Sequence, residues 1–139
     1  MFEHILLAVD GSDHSMRAAQ SAGEIARRFG SSIRLVVCYD PIPTYLGEPN
    51  LQQALNARLE HTARIIAPAL IAIGEIPGRL IEDILEGPPA EAILKVLEVQ
   101  EIDLVVMGTR GLSQFTAMLL GSQSQKVVTH APCPVLLVR

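Results

Sequence analysis

The sequence predicts an α/β domain in which a parallel β-sheet carries helices on both faces. Four apolar runs, ILLAV, IRLVVCY, IDLVVMG and CPVLLVR, indicate strands, and three of them lack polar alternation, as is typical of strands covered on both faces. Segments with helical periodicity separate the strands. Because strands that alternate with helices are joined by crossovers, this order favours a three-layer domain. The 139 residues suit a single domain that spans 1–139.

The strands are predicted at residues 4–10, 32–40, 79–87, 102–108 and 133–139. The segment 79–87, RLIEDILEG, is the weakest of the five because it is interrupted by charges. We therefore expect it at an edge of the sheet, with Glu82, Asp83 and Glu86 on a solvated side rather than as an acid and base pair.

Four helices are predicted between these strands. The first helix covers residues 13–29 and is followed by Gly30, a typical helix stop signal. Its apolar face is formed by Ala18, Ala22, Ile25 and Phe29. The second has a kink expected at Pro68, and its face is formed by Leu55, Leu59, Thr62, Ile66, Ala69 and Ile73. The third has Pro88 and Pro89 in its first turn, with Ile93 and Leu97 on one face, and the fourth covers residues 122–130. The Pro- and Gly-rich segment 41–50 is expected to be the most mobile.

Composition excludes several classes of function. The net charge of −4 and the pI near 5.5 argue against a nucleic-acid partner, since such proteins need a basic surface. Two isolated cysteines fit a reducing compartment better than a disulfide framework. The start MFEHILLAVDGSD fits neither a signal peptide nor a membrane span. We expect a cytoplasmic protein without a membrane partner.

Two predicted strands end in unusual sequences. The first runs into Asp10-Gly11-Ser12-Asp13 and the fourth into Gly108-Thr109-Arg110-Gly111. Parallel sheets bind ligands beyond the carboxyl ends of their strands, where the strand order reverses. If these two strands are neighbours, their loops form one crevice.

Glycines and a helix start make this crevice suited to phosphate. Gly121-Ser122 opens the fourth helix, whose unpaired N–H groups and positive dipole end can bind an anion without a lysine. Neither GxxxxGK[ST] nor a GxGxxG after the first strand occurs, so a P-loop and a dinucleotide fingerprint do not fit. The sequence predicts a site for a phosphorylated small molecule.

Simpler structural roles compete with several of these assignments. Asp10 can begin an Asp-Gly turn, although its place at a strand end favours the site. Either Asp13 or Ser12 can cap the first helix, and this role is favoured for Asp13. Arg110 is either a phosphate ligand or a solvated charge, and residues 112–120 are either a packed loop or a lid. The histidines lack metal-ligand spacing, and no cysteine has a matched His and Asp arrangement. We therefore predict no catalytic residues.

The whole chain resembles the single-domain universal stress proteins. The glycine pattern of that family, G-x2-G-x9-G-[ST], is matched without a gap by Gly108, Gly111, Gly121 and Ser122, and the segments ILLAVDGSDHSMRAAQSA and APCPVLLVR are also similar. The resemblance implies a five-stranded parallel sheet in the order 3-2-1-4-5. It also implies that members with the glycine pattern bind ATP, whereas others signal without it.

The resemblance also implies which residues border the nucleotide. Asp10 would lie near the ribose or a magnesium ion held mainly by the phosphates, and the backbone around Cys38 would meet the adenine edge. Gln123 stands where the family usually has a small apolar residue, typically valine. The implied binding residues are Ala8, Val9, Asp10, Ser12, Cys38, Met107, Gly108, Arg110, Gly111, Gly121, Ser122, Gln123 and Ser124.

These observations predict a cytoplasmic stress-response protein that binds ATP or another adenine nucleotide and acts as a regulator or sensor. A slow ATPase and a nucleotide-free interaction protein are the alternatives. The apolar strand at residues 133–139 would lie at a sheet edge in the order 3-2-1-4-5, and an exposed apolar edge invites pairing. We expect a homodimer through this strand and a regulatory protein partner that the sequence does not identify.

Overall fold

The fold is built on five parallel strands. The computed structural model describes residues 1–109 and 121–139, so the predictions for Arg110, Gly111 and residues 112–120 lie outside the described residues. The strands are β1 (His4–Ala8), β2 (Ser32–Tyr39), β3 (Leu80–Glu86), β4 (Leu104–Gly108) and β5 (Val135–Val138). Their order is β3-β2-β1-β4-β5, which confirms the predicted topology and the edge position of β3.

The central strand β1 lies between β2 and β4. The chain runs outward from β1 through β2 to β3 on one side, and from β4 to β5 on the other. Leu6 pairs with Arg34 of β2 on one side and with Val105 of β4 on the other. The adjacency of β1 and β4 brings together the two polar strand ends identified in the sequence. Both strands are largely buried because their side chains alternate between two apolar layers.

Helices cover both faces of the sheet. They are α1 (Asp13–Phe29), α2 (Asn50–Ile73), α3 (Pro89–Val99) and α4 (Ser122–His130), and a short 3-10 turn at Thr44–Leu46 precedes α2. One apolar core contains the buried side chains of α1 and α2 and one face of the sheet. A second core contains those of α3 and α4 and the other face.

The start of α1 differs from the prediction. Ser12, not Asp13, is the N-cap, and its hydroxyl accepts a hydrogen bond from Ser15 N at 3.2 Å. Because Ser12 has an extended conformation, its side-chain oxygen lies near the N–H group three residues later, and this geometry makes it the N-cap. Asp13 is instead the first helical residue, where its charge complements the positive end of the helix dipole.

The buried face of α1 is made of small residues. Ala18, Ala19, Ala22 and Ala26 are fully buried, whereas Phe29 is 47% exposed, so the predicted face is rotated. The helix packs closely against its neighbours: a Cβ on Gly23 would stand 2.1 Å from the carbonyl oxygen of Ile73 in α2. Close backbone approach therefore decides which side of α1 faces inward.

Only the second half of α2 is covered. Burial begins at Thr62, whereas Leu55 and Leu59, predicted on the buried face, are 37% and 61% exposed. A helix of 24 residues is about 36 Å long, and the longest strand, of 8 residues, spans about 26 Å. The first turns of α2 therefore extend beyond the sheet. The helix is continuous through Pro68.

None of the described helices combines the length and the apolar character needed to cross a membrane.

Candidate functional site

A cavity of about 210 Å³ opens at the carboxyl ends of β1 and β4. It extends from the end of β2 and the first turns of α3 on one side to the first turn of α4 on the other. Its lining residues are Ala8, Val9, Asp10, Ser15, Val36, Cys38, Pro89, Ile93, Met107, Gly108, Gly121, Ser122, Gln123 and Ser124.

One side of the cavity is apolar. Val36 and Cys38 occupy the same face of β2, two residues apart, and Pro89 and Ile93 lie on one face of α3, four residues apart. Burial raises the pKa of the Cys38 thiol to about 11. Cys38 is therefore protonated at neutral pH and acts as part of an apolar wall rather than as a nucleophile.

The loop after β1 presents a carboxylate to the cavity. Asp10 Oδ1 accepts a hydrogen bond from Ser12 N at 2.9 Å, and Gly11, with φ of 89°, completes the tight turn that this bond closes. The hydroxyl of Ser15 accepts a bond from Asp10 N at 3.3 Å and donates one to Ser12 O at 2.9 Å. The turn that was an alternative to a binding role for Asp10 thus also fixes its carboxylate at the cavity.

The start of α4 forms the opposite, polar end. The first bond within the helix runs from Gln125 N to Gly121 O at 2.9 Å. The N–H groups of Ser122, Gln123 and Ser124 therefore have no partner in the helix. Ser124 also anchors the helix to the sheet, because its buried hydroxyl donates to Gly108 O at 2.9 Å. This end combines donors that have no partner in the helix with the positive end of the helix dipole and is suited to an anion.

Two glycines of the predicted pattern have identifiable roles. Gly121 has φ of −66° and ψ of 152°, angles that any residue can adopt, so the backbone does not require a glycine there. Its N–H donates to Thr109 O at 2.7 Å, which joins the end of β4 to the start of α4. Gly108 allows β4 to approach α1, since a Cβ there would stand 2.8 Å from His14 Cβ.

Gln123 connects the two helices that flank the cavity. Its side-chain Oε1 accepts a hydrogen bond from Ala90 N, in the first turn of α3, at 2.9 Å. The N-cap of α3 is Pro88, whose side chain makes no capping bond. The glutamine thus supplies from α4 the acceptor that α3 lacks at its own start.

The structure brings most of the predicted site residues together. Ten of the thirteen line the cavity; Ser12 lies in the same loop but uses its hydroxyl as the cap of α1, and Arg110 and Gly111 lie outside the described residues. Sequence reasoning missed four lining residues, and each had a periodic signal. Val36 shares a strand face with Cys38, and Ser15 follows the cap Ser12 by three residues. Pro89 and Ile93 are four residues apart and therefore share one face of α3.

The cavity offers binding groups rather than a metal cluster. Within residues 1–109 and 121–139, no group of three or more His, Cys, Asp or Glu side chains is placed to hold a metal ion. Among the lining residues, Asp10 is the only carboxylate. The arrangement can enclose a flat apolar group at one end and an anion at the other, with one carboxylate between them.

Comparison with known proteins agrees with this architecture. The model of the universal stress protein family matches residues 1–139. A universal stress protein of Thermus aquaticus is 51% identical, with both chains covered completely. The solved structure of universal stress protein UspA from Lactobacillus plantarum is 28% identical, with 99% of this chain and 98% of that one covered, and has a TM-score of 0.84.

A further solved structure, described as a universal stress protein in complex with cAMP, is 25% identical and has a TM-score of 0.70. The two chains are covered over 99% and 97% of their lengths. Sequence, fold and the position of the cavity lead to the same conclusion: the chain belongs to the universal stress protein family.

Proposed function

We propose that this protein binds an adenine nucleotide, ATP in the first place, and acts as a regulator or sensor in a cytoplasmic stress response. The observation that carries the proposal is the division of one cavity into an apolar end and an anion-binding end. A nucleotide has the same division between its base and its phosphates. The likeness to a universal stress protein solved with cAMP supports an adenine nucleotide as the ligand.

The base would occupy the apolar end. Val36 and Cys38 form a wall from the sheet and Ile93 forms one from α3, and an aromatic ring between them would be removed from water on both faces. The protonated state of Cys38 suits this role, because a thiolate would disfavour an apolar ring. Ala8 and Met107 line the cavity at the ends of β1 and β4, where the ribose would follow.

The phosphates would lie at the start of α4. Gly121 permits close approach, and the N–H groups of Ser122, Gln123 and Ser124 would donate to phosphate oxygens. Asp10 would face the ribose, or a magnesium ion coordinated mainly by the phosphates. Arg110 and Gly111 are proposed as further phosphate ligands on the basis of the family resemblance.

A regulatory role is favoured over rapid turnover. Among the lining residues, no histidine, glutamate or lysine accompanies Asp10, so the described part of the site offers one carboxylate and no second group to relay a proton from water. A slow ATPase is the second candidate, because Asp10 could still orient a metal-bound water. A nucleotide-free interaction protein of the same fold is the third.

Assembly as a homodimer is part of the proposal. Strand β5 lies at the sheet edge, and Leu136 in its middle is 37% exposed. Pairing of two copies through residues 133–139 would cover this edge. A bound nucleotide would then be presented to a regulatory protein partner by a two-fold assembly.

Two measurements test nucleotide binding. Mass spectrometry of the gently denatured purified protein should find a co-purified adenine nucleotide. Thermal melts should show that MgATP at a hundred times its Kd stabilises the wild type by about 2.7 kcal/mol, and that Gly121→Val abolishes this rise. Because Gly121 has φ of −66°, the variant should fold, and its added methyl groups should occupy the space of the phosphate.

Ala131→Val is the matched control. Ala131 ends α4 with φ of −66° and ψ of 136°, so the same side chain is added in the same backbone region at the other end of the helix. This control should keep the ATP-induced rise. A wild type that neither carries nor responds to an adenine nucleotide would favour the interaction protein.

A further inference from the structure

We propose that Gln123 is a specificity-determining residue of the nucleotide site, whose side-chain NH₂ group donates to a phosphate oxygen and so favours nucleotides over nucleosides. This inference rests on the function proposed above. It concerns a side chain that the family pattern does not supply, since valine is typical at this position.

The orientation of the Gln123 carboxamide is fixed by its partner. The atom of Ala90 in this bond is its backbone N–H, a donor, which requires the side-chain oxygen of Gln123 as acceptor, at 2.9 Å. The Nε2 group must therefore point away from Ala90, and it carries two donors and no acceptor. Because Ala90 is fully buried in the second core, the bond has little freedom to rearrange.

The position of Gln123 suits a phosphate ligand. It is the second residue of α4 and lines the cavity between Ser122 and Ser124. Its oxygen is bound to the first turn of α3, so the carboxamide stands between the amino ends of two helices that both border the cavity. The positive ends of two helix dipoles favour an anion there over a neutral group. Within the described residues the one hydrogen bond of this side chain is made through Oε1, so Nε2 is available to the ligand.

The bond to Ala90 also gives Gln123 a structural role, and two substitutions separate the roles. Gln123→Glu keeps an acceptor for Ala90 N but loses the donor toward the ligand. Gln123→Met removes both the acceptor and the donor without adding charge. The control is Gln125→Glu, which adds the same charge two residues later on the exposed side of α4.

The experiment is titration of the full-length protein with MgATP and, separately, with adenosine, together with thermal melts without ligand. We expect Gln123→Met to weaken ATP binding about 10-fold to 100-fold, as loss of a hydrogen bond to a charged group does, and Gln123→Glu to weaken it at least as much. Adenosine affinity should be unchanged in both. Gln123→Glu should melt no lower than the wild type, and Gln125→Glu should bind ATP as the wild type does.

The titrations distinguish failure of the Gln123 phosphate contact from failure of the proposed nucleotide binding. Wild-type affinity for ATP in Gln123→Met would overturn the phosphate contact while leaving nucleotide binding intact. An equal loss of ATP and adenosine in both Gln123 variants would instead show that the residue serves the base or only positions α3, and would also overturn the proposal. A wild type that binds neither ligand would overturn the proposed function together with this inference.

Discussion

Gly108 links the stability of the fold to the shape of the site, and Gly108→Ala should disturb both. A Cβ at this position would stand 2.8 Å from His14 Cβ, 3.0 Å from His14 C and 3.1 Å from Ser15 N. All three atoms belong to the first turn of α1, and two of them are backbone atoms, which cannot move aside like the end of a flexible side chain. Either β4 or α1 must shift, and Ser15, which lines the cavity, would shift with α1.

The size of the effect follows from the crowding. Overpacking a well-packed core by one methyl group costs about 1–3 kcal/mol. For 139 residues, an unfolding entropy of about 2.1 cal/mol/K per residue gives about 0.29 kcal/mol/K, so Tm should fall by about 3–10 °C. The wild type should gain about 9 °C from saturation with MgATP at a hundred times its Kd, and the variant should gain clearly less.

Scanning calorimetry with and without MgATP measures both effects in one series. The control is Gly30→Ala, which lies at the far end of α1 with φ of 72° and no atom within 4 Å of the added Cβ. It should lose about 1–2 kcal/mol through backbone strain alone and keep the full ATP-induced rise. An unchanged Tm in Gly108→Ala, or an ATP-induced rise equal to that of the control, would refute the argument that this contact shapes the site.

Three further predictions concern assembly, turnover and pH. Light scattering should show a dimer at micromolar concentration for the wild type and a monomer for Leu136→Asp, and a dimer that survives this change would place the interface elsewhere. Phosphate release from bound ATP should take many minutes, and a rate in the usual enzyme range of about 1–10³ per second would identify an ATPase instead. Because burial raises the pKa of Cys38 to about 11 from 9.0, its contribution to stability should be present below pH 9 and be lost as the pH rises to 11. Denaturant melts of Cys38→Ala should accordingly depend less on pH across that interval, and parallel profiles would contradict the assignment.

The burial of β1, β2 and β4 could be predicted because local composition indicates it. Runs such as LVV in β4 are apolar at every position, which is typical of a short strand with both faces covered. The adjacency of β1 and β4 is a tertiary property, and it was predicted from the family resemblance rather than from periodicity. The same holds for the place of Cys38 in the site, since nothing in its own neighbourhood indicates a cavity.

The helix faces were harder to predict because periodicity does not specify how closely two backbones approach. Phe29 has the correct spacing for the inner face of α1, yet the contact of Gly23 with Ile73 turns a face of alanines inward and leaves Phe29 half exposed. Leu59 has the correct spacing for α2 but lies in turns that extend beyond the sheet. The hydrogen bond from Ala90 N to Gln123 Oε1 joins residues 33 apart in sequence, so no local sequence pattern predicts it.

The alanine and glycine face of α1 has a consequence for the entropy of ligand binding. Residues of these two types have no side-chain rotamers to lose on burial, and none to adjust afterwards. The position of α1 is therefore set by close backbone contacts, that of Gly23 with Ile73 O in α2 and that of Gly108 in β4 with the first turn of α1. The first turn of this helix fixes Asp10 through the hydroxyl of Ser15. This wall of the cavity is thus organised before any ligand arrives, and α1 need not rearrange or lose further conformational freedom when one binds.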